Sequence, residues 1–280
     1  MSSEAIRQTL NYYLDKLAES NESIVGRFFD NVRFRYKCFR LRNEINFSDY
    51  EMPEFRIMEH YLKQRPGAVI DAGANYGVFS VFFSRHSSQV LAFEPVPLSS
   101  RLLNHLLQKY SAENVTTYCE ALSDNVYRKE LSIPVVNGTR NYFLASLEES
   151  GSSENHVVRE VVCNTIDNRA RQLSGVSFIK IDVEGHESAV LRGAAKTLAQ
   201  YKPGLMIEFN SPPKASNPES YSIYKNLSEM GYLCFYADDE HTFRLWDESA
   251  DPPHVNYFFF TPEDAKIIAC LTDKITLNEA

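Results

Sequence analysis

Between residues 68 and 208 the chain alternates short, unbroken apolar runs with helix-length amphipathic segments, and this rhythm restricts the fold more than any other feature. "AVIDAG", "QVLAFEP", "NVTTYCEAL", "GVSFIKIDVEG" and "PGLMIEFN" read as strands; "YGVFSVFFSRH", "PLSSRLLNHLLQKY", "TIDNRARQL" and "SAVLRGAAKTLAQ" read as helices. A strand that is apolar at nearly every position has to be covered on both faces, and strands separated by helices pair in parallel. The expectation is an α/β chain: a mostly parallel sheet with helices on both faces. A β-rich insert near 129–163, with "KELSIPVV", "NYFLASLE" and "HVVREVVC" as strands, interrupts the alternation, and "EESGSSEN" reads as a polar loop. "GYLCFYA", "TFRLW" and "VNYFFFT" predict an antiparallel addition at one edge. Residues 1–65, with helical spacing over 3–18 and a helix over "MPEFRIMEHYLKQ", form an N-terminal extension to a domain spanning 66–280.

Composition narrows the partners. Of 280 residues 44% are hydrophobic and 24% charged, which suits a soluble chain with a substantial core. A formal net charge of -8 argues against nucleic acid, whose phosphates call for a basic face. No apolar run approaches the ~18 residues of a membrane span, and the N-terminus lacks the order of a signal peptide. The cysteines number five and are scattered, mostly in apolar runs, so buried free thiols in a reducing, cytoplasmic compartment are expected. The expected partner is a small molecule, with a second copy of the chain in a homodimer.

On such sheets ligands bind beyond the carboxyl ends of the strands, where strand order reverses. The first end carries Asp71, Gly73, Asn75, Tyr76 and Gly77. Gly73 leaves room for a ligand to touch the main chain, and Gly77 lets the next helix pack close. That helix start favours an anion, although a tight turn alone also needs glycine. Glu94, followed by Pro95, ends the second strand, where a carboxylate accepts hydrogen bonds from the two hydroxyls of a ribose. A solvated glutamate is the plainer account. The loop "GANYG" lacks one glycine of the dinucleotide pattern and the lysine of a P-loop. S-adenosylmethionine, with no pyrophosphate to cradle, matches what is present.

"VIDAGANYGVFSVFFSR", "VLAFEPVP", "NVTTYCEALSD" and "FIKIDVEGHESAVLRGA" together resemble the FkbM family of S-adenosylmethionine-dependent methyltransferases, in family order from about 66 to 210. The resemblance implies a class I methyltransferase fold, Rossmann-like, with seven strands of which the last is antiparallel, and O-methylation of a small molecule or sugar. It implies that Asp71, Gly73 and Asn75, with Tyr76 and Gly77, surround the methionine part. It places Glu94 and Pro95 at the ribose, and Glu120, Ala121 and Leu122 beside the adenine. The N-terminal extension then caps the substrate.

The fourth strand end, "IKIDVEGHE", is the chemical one. It brings Lys180, Asp182, Glu184, His186 and Glu187 together, which packing alone does not explain. Methyl transfer from a sulfonium is an in-line displacement, so a hydroxyl acceptor needs alignment and a base. His186 has the intrinsic affinity to take a proton near neutral pH, with Asp182 or Glu184 assisting. The family commonly shows a small residue at this histidine's position. Asp182 and Glu208, on adjacent strand ends, form a candidate site for Mg²⁺ or another divalent cation, which takes oxygen ligands. Against this, Glu184 and Glu187 also suit a helix start, and His186 a cap. Two other functions stay open: N-methylation, and adenosine binding without catalysis.

Overall fold

The computed structural model of the protein describes residues 53–136, 139–140, 145–148, 156–237, 242–250 and 256–272. The helix expected over 3–18 lies outside the described residues. The first described element is helix α1 (Pro53–Gln64). Strand β1 (Ala68–Ala72) follows, then α2 (Val78–His86), β2 (Gln89–Phe93), α3 (Pro97–Lys109) and β3 (Val115–Tyr118). Next come the short β4 (Ala121–Leu122), β5 (Tyr127–Val136), β6 (Thr139–Arg140) and β7 (His156–Asn164). The alternation resumes with α4 (Ile166–Arg169), β8 (Val176–Ile181), α5 (Glu187–Arg192), α6 (Ala195–Tyr201), β9 (Gly204–Glu208) and α7 (Pro218–Glu229). Strands β10 (Leu233–Ala237), β11 (Phe243–Leu245) and β12 (Asn256–Phe260) precede helix α8 (Pro262–Ile268).

The main sheet has the order β11-β10-β12-β9-β8-β1-β2-β3. Strands β3, β2, β1, β8 and β9 run parallel. Strand β12 is antiparallel to both of its neighbours, and β11 is antiparallel to β10. Every residue of β1 and β8 is buried, because helices cover both faces. On one face Ile70, Ile179, Ile181 and Leu205 pack against Val190 of α5, Leu198 of α6 and Leu227 of α7. On the other, Val69, Phe178, Met206 and Phe258 meet Ile57, Met58, Tyr61 and Leu62 of α1, with Phe83 of α2 and Ile268 of α8. Phe55 packs here against Phe79 and Phe82. Ile57, Met58, Tyr61 and Leu62 fall on one stripe of α1, each fully buried side chain contributing roughly 1.5–3 kcal/mol.

The order reverses at β1 and β8. From β1 the chain winds outward through β2 and β3; from β8 it winds the opposite way. A crevice therefore opens where Gly73 and Asp182 leave the sheet side by side.

Four expectations are corrected. The sheet has eight strands rather than seven, because the short β11 pairs beyond β10 at the edge. "NVTTYCEAL" is two strands: β3 ends at Tyr118, and Ala121–Leu122 joins a second sheet of order β4-β7-β5-β6 by pairing with Cys163 and Asn164. Cys119, at that break, is exposed, as is Cys270, whereas Cys163 and Cys234 are buried; all four are free thiols. Within the described part of "NYFLASLE", residues 145–148, pairing is confined to a bridge between Ser146 and Ser132. Among the described residues no helix is long and apolar enough to cross a membrane.

Candidate active site

A cavity of about 260 Å³ occupies the crevice. Its ionisable lining includes Glu94, Asp182, Glu184, His186 and Glu208; Phe93, Val96, Ala121, Leu122, Leu131 and Leu147 supply apolar wall. Gly73, Asn75, Pro95 and Glu120 also line it, whereas Asp71, Tyr76 and Gly77 are not among the lining residues.

The turn after β1 is held by its neighbours. Gly73 has φ +78°, and a β-carbon on it would stand 1.7 Å from the Asp182 carbonyl oxygen. The clearance expected for a ligand is taken up by the neighbouring strand. Gly77, at φ +94°, faces Leu103 of α3, whose Cδ1 would lie 2.5 Å from an added β-carbon, so this glycine does bring helices close. Asn75 also adopts a left-handed backbone, with φ 49°. Its N–H donates to Glu94 Oε2 at 2.9 Å, and its buried Oδ1 has no hydrogen-bond partner among the described residues.

Glu94 is almost wholly buried, and burial pushes its carboxyl up to about 7 against the pull of the N–H groups of Val96 and Asn75. The Val96 N–H donates to Oε1 at 2.8 Å. Each oxygen keeps a second lone-pair direction for a further donor. Glu120 differs: Arg169 grips both of its oxygens, and that guanidinium lies 4.4 Å over the Tyr118 ring.

Lys180 is the residue that periodicity should have flagged. It shares a face of β8 with Phe178, opposite Ile179 and Ile181, and the parallel register sets it beside Asp71 of β1. Its ammonium is buried, 2.9 Å from Asp182 Oδ2 and 3.7 Å from Asp71 Oδ1, and donates to the Gly73 carbonyl at 3.2 Å. Burial pulls its proton affinity down, but Asp182 and Asp71 outweigh burial and hold it above the usual lysine range. Asp71 also accepts from Ser80 Oγ at 2.6 Å, and burial raises its carboxyl. It is a structural counter-ion beneath the turn.

Asp182 and Glu208 are brought together, as adjacent strand ends require. The hydrogen bond with Asp182, and then burial, push Glu208 up to about 8, while Lys180 overcomes burial to hold Asp182 low. The donors do not fit a divalent cation. Asp182 already carries the Lys180 ammonium, and no group of three or more His, Cys, Asp or Glu side chains converges among the described residues.

Glu184 lines the cavity from a left-handed turn, with φ 55°. Burial, followed by the charges of Asp182 and Glu187, pushes its carboxyl up to about 7. Glu187 turns inward to accept the N–H groups of Gly185 and Val183 at 3.0 and 3.4 Å, closing the start of α5. His186 is buried with both ring nitrogens engaged: Nε2 lies 2.8 Å from Ser123 Oγ and Nδ1 lies 2.5 Å from Glu148 Oε1. Neither nitrogen is left free for an acceptor. Ser123 and Glu148 carried no local signal in the sequence, since their partner is far along the chain.

Comparison with known proteins follows this geometry. Over 146 residues the chain is 25% identical to Methyltransferase 1 of Beauveria bassiana, covering 45% of this chain and 57% of that protein. An FkbM methyltransferase structure from Methylobacillus flagellatus is 15% identical, with a TM-score of 0.47 over 92% of this chain and 60% of that one. SMU.1697c of Streptococcus mutans, in complex with SAH, is 12% identical, with a TM-score of 0.43 over 75% of this chain and 98% of that one. The chain thus spans about three fifths of the length of the first two. The model of the methyltransferase FkbM domain matches residues 71–234, more than half of the sequence and all of the crevice from the β1 turn to Glu208, and the chain belongs to the FkbM family of methyltransferases.

Proposed function

We propose that the protein transfers a methyl group from S-adenosylmethionine to a hydroxyl of a small molecule. The observation that carries this reading is one cavity with two chemically distinct ends. Glu94 and the unpartnered Asn75 Oδ1 lie at the glycine turn, and Glu184 lies beside the Asp182–Glu208 pair. S-adenosylmethionine supplies an electrophilic methyl on a sulfonium.

The residues fit that cofactor. Glu94 has lone pairs for a ribose diol, Asn75 Oδ1 awaits a donor, and Val96, Ala121, Leu122 and Leu147 offer an apolar wall to a flat base. Asp71, Tyr76 and Gly77 support the turn from outside the cavity wall. Glu184 is the group best suited to accept the acceptor's proton. It faces the cavity, and its affinity near neutrality lets it lose and regain a proton during turnover. A hydroxyl needs such a base, whereas an amine that is already neutral does not. This favours oxygen as the nucleophile. Asp182, held ionised by Lys180, and protonated Glu208 offer an acceptor and a donor to orient a hydroxylated substrate. His186, saturated with hydrogen bonds, shapes this end.

The test is calorimetric titration with S-adenosylhomocysteine, then incubation with methyl-labelled S-adenosylmethionine and panels of polyhydroxylated compounds and amines. Label entering only amines would overturn the oxygen assignment; no nucleoside binding would remove the reading altogether.

A further inference from the structure

We propose that residues 145–148 brace the nucleoside cavity, and that Glu148 is the positioning residue that holds this brace in place through His186. The inference rests on the function proposed above and adds residues to it.

The segment touches the rest of the molecule in three ways. Its backbone exchanges two hydrogen bonds with Ser132 of β5, at 2.8 and 3.0 Å. Ser146 Oγ donates to the Glu184 carbonyl at 2.7 Å. Glu148 accepts from His186 Nδ1 at 2.5 Å. Between these ties Leu147 is buried beside Val96, Ala121 and Leu131, and Ala145 and Leu147 both line the cavity. Two of the three ties end on the turn 184–186, where Glu184 and Gly185 take left-handed conformations in succession. The segment thus fixes a cavity wall and the backbone of the candidate base at once.

His186 is the joint. It lines the nucleoside cavity and also a second, polar cavity of about 380 Å³ that contains Glu148, Tyr127, Lys129 and Arg192. Glu148 lines only the outer one, so the imidazole is the wall through which the brace acts. A carboxylate only accepts, so Nδ1 carries a hydrogen. Nε2 pairs with the Ser123 hydroxyl at 2.8 Å, and Ser123 Oγ pairs in turn with the Tyr127 hydroxyl at 2.6 Å. One chain of hydrogen bonds therefore joins the start of β5, the loop after β4, the turn before α5 and the brace. A histidine at 186 is required for this, since a small residue would reach neither side.

The experiment uses the full chain and S-adenosylhomocysteine. Glu148→Ala lowers the thermal melt slightly, since the lost hydrogen bond exists without ligand, and weakens binding by up to about tenfold as the cavity wall loosens. Glu148→Gln, whose amide oxygen still accepts from Nδ1, restores most of the affinity. In ¹⁵N spectra His186 is the Nδ1–H tautomer in the parent and in Glu148→Gln, and loses that preference in Glu148→Ala. Unchanged affinity together with an unchanged tautomer in Glu148→Ala overturns the proposal. If the parent itself binds no S-adenosylhomocysteine, the cofactor reading fails, and the tautomer alone decides whether Glu148 holds His186.

Discussion

Gly73 and the carbonyl oxygen of Asp182 are so close that a β-carbon at residue 73 would lie 1.7 Å away. The two ends of neighbouring parallel strands lock together there, and the cavity begins where they part. Gly73→Ala meets both this backbone atom and a φ of +78°. It is expected to cost about 3 kcal/mol or more, adding left-handed strain to a clash that only backbone movement relieves. Chemical denaturation of the variant measures this loss; a shift under 1 kcal/mol, roughly the spread of ordinary surface substitutions, would falsify the lock.

Lys180→Met leaves Asp71 and Asp182 without their shared counter-ion. Removing one member of a buried ionic group costs about 3–5 kcal/mol. The cost grows with pH, because Asp71, already raised by burial, escapes the problem when protonated. Adding Asp71→Asn to Lys180→Met should recover part of the stability. A double-mutant cycle showing strictly additive losses would exclude the pairing.

Glu94→Gln keeps the shape of the carboxyl and removes its charge. S-adenosylhomocysteine affinity is expected to fall about 10- to 100-fold, since hydrogen bonds to a charged acceptor are roughly twice as strong as neutral ones. On the proposed reading the ribose hydroxyls donate to the ionised form of Glu94, a group raised to about 7. Affinity should therefore be higher at pH 8 than at pH 6, a difference that Glu94→Gln reduces. Calorimetry at the two pH values decides it.

Stability of the ligand-free protein should fall as pH rises. Glu94 and Glu184, both raised to about 7, and Glu208, raised to about 8, release protons more readily in the unfolded chain. Their contribution is complete below about pH 4.5 and is lost as pH climbs through these folded values. Glu208→Gln, which imitates the protonated side chain at every pH, should match the parent near pH 4.5, melt higher than it at pH 7, and lack its share of the decline between about pH 4.5 and pH 8. A parent melting temperature that climbs steadily between pH 6 and pH 9 would contradict the raised Glu208 carboxyl.

The alternation of apolar runs with helical segments was enough to determine the parallel sheet, because covering a strand on both faces leaves a signature within a few residues. The same locality made Gly73, Glu94 and the "KIDVEGHE" strand end legible as a site, since ligands gather at strand ends whatever the details. Which charge meets which was decided by tertiary structure alone. Asp182 and Glu208 looked like a metal pair until Lys180, placed by the register of β8 on β1, proved to hold one of them. His186 looked like a free base until the fold delivered Ser123 and Glu148 to its two nitrogens from 63 and 38 positions away. Periodicity reports burial and direction over one or two turns of chain. The protonation and partnership of a buried polar group depend on atoms brought to it through space.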